Sequence, residues 1–174
     1  MTKIKSTTCL FGAIAGDMIG SRHEWKACTD LQFTLFSKSS KFTDDSVLTI
    51  AVADAILNQR GYVEAIVEYA RKYPKAGYGS FFRRWIANDE LEPYNSFGNG
   101  SAMRVSATGW AFNSADEVLR KAQQSAEGTH NHPEGIKGAQ SVALAIYLAR
   151  TGVEKDAIRS ELESRFGYDL SSTL

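Results

Sequence analysis

The sequence is poor in the features that mark several classes of protein. It has only two cysteines, Cys9 and Cys28, too few for a disulfide framework and without the paired spacing of a zinc motif. Its three prolines are scattered, so no proline-rich linker is present. Twenty basic and twenty acidic side chains leave a net charge of zero, which gives no electrostatic footprint for nucleic acid or an anionic membrane. These absences favour a globular protein with reduced thiols in the cytoplasm.

Long apolar runs are absent as well. The basic start at residues 1–5 and the apolar stretch at residues 9–14 imitate a signal peptide. Gly12 interrupts that stretch, and Gly16 and Asp17 follow it closely, so we expect neither export nor insertion into a membrane.

Strand-type alternation is also absent, and helical periodicity runs along most of the chain. At 174 residues and 43% hydrophobic content, the length and composition indicate one domain, 1–174, with a sizeable core. The pattern predicts helices over residues 8–21, 45–58, 62–73, 80–86, 101–110, 114–127 and 153–166, and one that opens at His132-Pro133. The predicted fold is therefore all-α, an orthogonal multi-helix bundle with functional residues at helix ends and in loops.

The first helix combines glycines with a carboxylate. Gly12, Gly16 and Gly20 recur every four residues, which predicts close approach of another helix. Asp17 lies within this apolar pattern, and Glu24 would share its face if the helix continued. A carboxylate in a packed helix needs an ion pair, hydrogen bonds or a metal. The alternatives for Asp17 are exposure to water or capping of another helix.

Oxygen ligands cluster at the predicted start of the second helix, where the chain reads Thr43-Asp44-Asp45-Ser46. Two carboxylates and two hydroxyls suit a hard divalent cation such as Mg²⁺. The same residue types are also good helix N-caps, and acids suit a first helical turn. The segment alone leaves both interpretations open.

A glycine-rich segment precedes the helix predicted at 101–110. In Phe97-Gly98-Asn99-Gly100-Ser101, free backbone N–H groups at a helix start would face an anion such as a diphosphate. Phe97 would stack on a base or ribose, and Arg104 would buttress the loop. The alternative is a plain turn with Ser101 as the cap.

Two histidines lie in the segment Thr129-His130-Asn131-His132-Pro133. They would bind a metal or a substrate hydroxyl, although a zinc site would need a matching third ligand. The alternative for each histidine is a capping or hydrogen-bonding role.

In this order, the four segments resemble the ADP-ribosylglycohydrolase family, the group that includes the dinitrogenase-reductase-activating glycohydrolase. The matching stretches, spread over residues 12–133, are Gly12–Gly20 with Glu24, Thr43–Ser46, Phe97–Arg104 and Thr129–Pro133. The resemblance implies an all-α fold with a two-metal centre of Mg²⁺ or Mn²⁺ in a cleft. It also implies hydrolysis of the glycosidic bond at ribose C1″ of an ADP-ribosylated protein or small ADP-ribosyl compound.

The resemblance also implies residue roles. Thr43, Asp44 and Asp45 would be metal ligands, and Asp45 and Glu24 would be catalytic, with Glu24 beside the reacting ribose. The implied substrate-binding residues are Phe97, Gly98, Asn99, Gly100, Ser101, His130 and His132. The loop residues would cradle the diphosphate and distal ribose, and a histidine would approach the adenosine side.

One element of the family pattern is missing. Members usually carry a second acidic metal motif of the type Asp-(Ser/Thr)-Asp-(Ser/Thr), and Asp169-Leu170-Ser171 does not match it. We therefore expect a C-terminally incomplete bundle with half of the metal ligands. Two other hypotheses follow: an inactive module that binds ADP-ribose or a nucleotide, and a helical subunit whose core is completed by a partner chain or self-association.

Overall fold

The computed structural model describes residues 8–24, 29, 30, 32–88 and 90–171. Within these ranges the chain forms eight helices and no strand, so the all-α prediction is confirmed. They are α1 (Thr8–Gly20), α2 (Asp44–Leu57), α3 (Tyr62–Lys72), α4 (Ser80–Ala87), α5 (Ser106–Ala111), α6 (Ala115–Glu127), α7 (Pro133–Arg150) and α8 (Lys155–Phe166). Cys28 lies outside the described residues, so the prediction of reduced thiols stays a prediction.

Most helix ends agree with local sequence signals. The Thr43 side chain accepts a hydrogen bond from Asp45 N and caps α2, and Ser114 caps α6 through Glu117 N. Pro133 occupies the first turn of α7, and Gly167 ends α8 in the left-handed conformation at φ 69°.

The helix predicted over 101–110 is wrong at its start. Residues 99–105 form successive turns, and α5 begins only at Ser106. The Ser101 hydroxyl donates to Gly135 O at 2.7 Å, and Arg104 donates to Ser125 O at 3.1 Å. These long-range bonds hold the segment against α6 and α7 in a path that local sequence signals do not encode.

The core consists of two hydrophobic clusters. The first is formed mainly by α2, α3 and α4 and includes Leu48, Val52 and Ile66; the second is formed by α5, α6 and α7 and includes Val118. Ile56, on α2, packs against both clusters. The N-terminus of α2 projects from the first cluster, beside the loops at residues 74–79 and 96–103.

Helix α1 is the least covered of the apolar helices. It packs against α2 and α5, but nothing in the described part of the chain lies within 4 Å of a Cβ built on Gly12, Gly16 or Gly20. The close helix contact predicted for this face is therefore not found among the described residues. None of the described helices combines the length and apolar character needed to cross a lipid bilayer.

Candidate functional site

A cavity of about 1000 Å³, here called the acidic cleft, lies between α1, the start of α2 and the loop before α4. Four carboxylates line it: Asp17, Glu24, Asp44 and Asp45. Glu24 is not on the helical face of Asp17, because α1 ends at Gly20. The turn at residues 21–24 nevertheless brings Glu24 to the same cleft. The structure thus assembles the acidic residues that the sequence places in two separate segments.

Asp17 is the anchor of this cleft. Its carboxylate accepts hydrogen bonds from Thr43 N at 2.7 Å, Thr43 Oγ1 at 2.6 Å and Ser46 N at 3.1 Å, and from the Ser46 hydroxyl. Two of these donors are backbone N–H groups at the start of α2, so Asp17 caps that helix. This is the capping role that the sequence left as an alternative.

Asp44 and Asp45 are held in conditions that disfavour their charge. Burial, with smaller contributions from the charges of Asp45, Glu24 and Asp17, raises the pKa of Asp44 to about 6. Burial and the charge of Asp17 also raise the pKa of Asp45, against a hydrogen bond from Thr43 that lowers it. The cleft therefore concentrates negative charge at the start of α2.

The donor chemistry at the start of α2 fits one side of a hard divalent cation. The Thr43 hydroxyl and the two carboxylates supply oxygen ligands, and a cation would offset their repulsion. No group of three or more His, Cys, Asp or Glu side chains within the described ranges is arranged to hold a metal ion by itself. Additional ligands, from water or from other protein groups, are needed to complete the coordination shell.

The opposite wall of the cleft comes from a segment that the sequence analysis missed. Gly77 has φ 107°, and a Cβ built on it would lie 3.4 Å from Asp44 Oδ1, so the backbone passes close to the carboxylate. Gly79 precedes α4, whose N-terminus has no side-chain cap and borders the cleft. Lys75 and Arg83 add two cations to this wall. The available signal was the run Gly77-Tyr78-Gly79-Ser80, a second glycine-rich stretch before a helix.

A second cavity of about 330 Å³, here called the inner cavity, adjoins the acidic cleft. Asp44 and Asn99 line both cavities. The other walls come from aromatic residues, from the glycine loop and from α4; they include Phe81, Phe82, Tyr94, Gly98, Gly100, Arg104 and His130. Its size and its mixture of apolar and polar groups are typical of a small-ligand site.

The glycine loop beside this cavity has backbone donors without partners. The N–H groups of Asn99, Gly100 and Ser101 make no hydrogen bond within the described part of the chain, whereas Gly98 N donates to Ser96 Oγ at 3.3 Å. A Cβ on Gly100 would lie 3.0 Å from His130 Cε1 and Nε2, so a side chain there would press on the imidazole ring. The donors come from the loop itself, since no helix begins at Ser101.

Three of the predicted ligand-binding residues do not line either cavity. Ser101 is fully buried, and its hydroxyl is engaged with Gly135 O. Phe97 is 75% exposed, with its ring centroid 5.5 Å from that of His132. His132 Nδ1 accepts a hydrogen bond from Glu134 N at 3.1 Å, so this histidine caps α7.

The far wall of the inner cavity is a buried polar network. Arg104 Nη2 donates to Thr129 Oγ1 at 2.8 Å, and Thr129 Oγ1 lies 2.7 Å from His130 Nδ1. Burial lowers the pKa of Arg104 to about 10, so its guanidinium stays charged at neutral pH. Burial, with a smaller contribution from the Arg104 charge, lowers the pKa of His130 to about 4, so its imidazole is neutral there.

The fold and the site together define a class: an all-helical protein with a carboxylate-lined cleft that opens into a small-ligand cavity. Comparison with known proteins identifies the family within this class. The model of the ADP-ribosylglycohydrolase family matches residues 3–171. The chain belongs to the ADP-ribosylglycohydrolase family.

Several curated relatives carry the name ADP-ribosylhydrolase ARH3. The protein of Homo sapiens is 31% identical over 179 residues, and that of Bos taurus is 30% identical over 179 residues. The protein of Mus musculus is 31% identical over 180 residues. Each alignment covers 83% of this chain and 49% of the relative, so the chain spans about half the length of the curated relatives it matches.

Proposed function

We propose that this chain acts in the hydrolytic removal of ADP-ribose from a modified protein or a small ADP-ribosyl compound. The bond cleaved is the glycosidic bond at ribose C1″. Water adds across this bond: a C–O bond to the water oxygen forms, the bond to the acceptor breaks, and the acceptor leaves with a proton. The family and the names of the relatives support this reaction class.

The observation that carries the proposal is the shared wall between the two cavities. Asp44 and Asn99 line both the acidic cleft and the inner cavity. A nucleoside diphosphate in the inner cavity would therefore place an attached ribose beside the carboxylates. This arrangement matches a substrate with a nucleotide at one end and a scissile sugar bond at the other.

Thr43, Asp44 and Asp45 would hold Mg²⁺ or Mn²⁺. When bound, such a cation orients the ribose hydroxyls and lowers the pKa of water. Asp45 would also take up a proton from water during the attack, the catalytic role that the family resemblance implies. Glu24, which lines the cleft, would exchange a proton with the acceptor. Asp17 keeps the start of α2 in place through its hydrogen bonds.

The experiment measures release of ADP-ribose from ADP-ribosylated protein, with and without Mg²⁺ or Mn²⁺. Asp44→Ala and Asp45→Ala are the test variants, and Asp116→Ala, an exposed acid in the first turn of α6, is the matched control. We expect cation-dependent release that both test variants abolish and the control retains. Release that persists in Asp44→Ala and Asp45→Ala would show that these carboxylates are not needed for the reaction.

Binding of ADP-ribose is measured in parallel by calorimetry. Cation-independent binding without release would favour an ADP-ribose-binding module over a hydrolase. Failure to bind ADP-ribose under any of these conditions would contradict the proposed function.

A further inference from the structure

Arg104, Thr129 and His130 are linked by buried hydrogen bonds, and this arrangement fixes the position of one hydrogen atom. The Thr129 hydroxyl is fully buried and has two neighbours, Arg104 Nη2 at 2.8 Å and His130 Nδ1 at 2.7 Å. A guanidinium N–H can only donate, so Thr129 Oγ1 accepts the bond from Arg104. The hydroxyl's own hydrogen must then find an acceptor.

Among the described residues, His130 Nδ1 is the acceptor recorded for that hydrogen. If Nδ1 carried a hydrogen and donated instead, the buried hydroxyl would accept two bonds and its own hydrogen would have no partner. A buried unsatisfied donor costs about 1–3 kcal/mol. The Thr129 hydroxyl and His130 Nδ1 are both satisfied only when Nδ1 carries no hydrogen, and a neutral imidazole then carries its hydrogen on Nε2.

His130 Nε2 faces the glycine loop. The atom lies 3.0 Å from the position of a Cβ on Gly100, and His130 lines the inner cavity although only 4% of the residue is exposed. No partner for Nε2 is recorded within the described ranges, and the atom is not among the fully buried orphans. The unbonded N–H groups of residues 99–101 belong to the same loop.

The charge at this wall favours an anion over a neutral acceptor. Arg104 is 1% exposed, and its recorded hydrogen bonds go to Ser125 O and Thr129 Oγ1, both neutral. In the part of the chain that the structure describes, the guanidinium has no carboxylate partner, and its Nε is buried without an acceptor. A buried cation without a counter-charge is costly, and an anionic ligand group in the cavity would offset that cost.

We infer that Arg104 and Thr129 are positioning residues that hold His130 as the Nε2–H tautomer, and that this N–H donates to a diphosphate oxygen of the ligand. The inference rests on the proposed function, because it assigns the contact to a nucleoside diphosphate. It moves His130 from the adenosine side, where the family resemblance placed it, to the diphosphate. It also gives Thr129 a role that the sequence did not indicate.

The first test measures the tautomer in the ligand-free protein. The chain has three histidines, so long-range 15N–1H spectra of the imidazole rings are simple, and loss of one ring system in His130→Gln assigns His130. We expect the Nε2–H form in the wild-type protein and in Thr129→Ser. In Thr129→Val, which keeps the shape but lacks the hydroxyl, Nδ1 loses the hydrogen bond that it accepts, so we expect its 15N resonance to move toward that of an unbonded imidazole nitrogen. An Nδ1–H tautomer in the wild-type protein overturns the inference, whatever the behaviour of the Thr129 variants.

The second test compares the affinities for ADP and adenosine by calorimetry at a fixed Mg²⁺ concentration. Thr129→Val should lose roughly tenfold in ADP affinity, with adenosine affinity changed less than twofold, and Thr129→Ser should restore ADP binding. Loss of the hydrogen bond to Nδ1 with unchanged ADP affinity overturns the positioning role of Thr129. If the wild-type protein binds neither ADP nor ADP-ribose, the proposed function fails, whereas the tautomer assignment is decided separately by the spectra.

Discussion

Among single residues, Asp44 has a costly position, because burial and three neighbouring carboxylates all oppose its ionisation. At pH 7.5, without a divalent cation, Asp44→Asn should raise the free energy of unfolding by about 1 kcal/mol, since water screens part of the repulsion at this half-buried group. The same variant should lose the rise in Tm that Mg²⁺ gives the wild-type protein.

Thermal unfolding with and without Mg²⁺ measures both effects, and Asp116→Asn, an exposed first-turn acid of α6, is the control. A drop in stability for Asp44→Asn, or an undiminished response to Mg²⁺, would contradict the charge argument.

The lowered pKa of His130 predicts that its contribution to stability falls as the pH is lowered. Its folded pKa of about 4 lies below the ordinary value of 6.5, so the unfolded chain takes up the proton first as the pH falls. The stability that neutral His130 contributes is therefore complete above pH 6.5 and is lost between pH 6.5 and 4. Asp44 acts in the opposite direction, because its pKa is raised to about 6 and protonation favours the folded state.

The two effects are separated by comparing the wild-type protein with His130→Gln, because both retain Asp44. The difference in unfolding free energy between them should shrink as the pH is lowered from 6.5 to 4. Urea titrations across this range provide the measurement, with His132→Gln as the control at a partly exposed capping histidine. A difference that stays constant over the range would refute the assignment.

At the scale of secondary-structure elements, the position of α2 depends on a cap supplied by another helix. Asp17 on α1 accepts hydrogen bonds from two backbone N–H groups at the start of α2. Asp17→Ala should lower the free energy of unfolding by about 2–3 kcal/mol, and Asp17→Asn, which keeps one acceptor oxygen, should lose less. Because the same helix end carries Asp44 and Asp45, cation binding should weaken in parallel.

Denaturant titration and cation binding by calorimetry test this cap. The matched control is Ser114→Ala, which removes the local cap of α6 and should cost about 1 kcal/mol without changing cation binding. Equal behaviour of the Asp17→Ala and Ser114→Ala proteins in both measurements would show that Asp17 has no special part in the cleft.

Elements defined by local signals were predictable from the sequence, whereas those defined by distant contacts were not. Ser114, Pro133 and Gly167 act within one turn of their own helix, and the corresponding ends agree with the structure. Ser101 bonds to Gly135, 34 residues away, and the helix predicted to start at Ser101 begins only at Ser106. The local pattern could not show this because the competing hydrogen bond comes from α7.

The candidate site divides in the same way. The sequence indicated the acidic segments and the glycine loop, since each is a contiguous run of suitable residue types. It did not indicate the loop at 77–80 as the facing wall, nor Thr129 as a partner of His130, because these relations exist only once α4, α6 and the turns are packed. The roles predicted for Phe97, Ser101 and His132 stay predictions, with side chains that lie outside both cavity walls.

For the molecule as a whole, the packing of Ile56 against both core clusters predicts that their stabilities are coupled. This residue packs against both, so Ile56→Ala should lower the free energy of unfolding by about 2 kcal/mol. The protection of Val52 and Val118 amides against hydrogen exchange should fall by similar amounts, although they belong to different clusters. The adjacent Leu57→Ala, at a side chain 48% exposed, should cost under about 1 kcal/mol. Loss of protection confined to one cluster would mean that the two unfold independently.

The shared position of Asp44 has a thermodynamic consequence. Because this carboxylate borders both the acidic cleft and the inner cavity, a cation that neutralised it from one side would also relieve its repulsion of an anion on the other side. Such coupling is reciprocal by necessity: the factor by which the cation strengthens nucleotide binding equals the factor by which the nucleotide strengthens cation binding. The cation and the nucleotide would then each bind more weakly alone than in the ternary complex. Asp44 would be the common contact through which a ligand in the acidic cleft changes the affinity of the inner cavity, and the reverse.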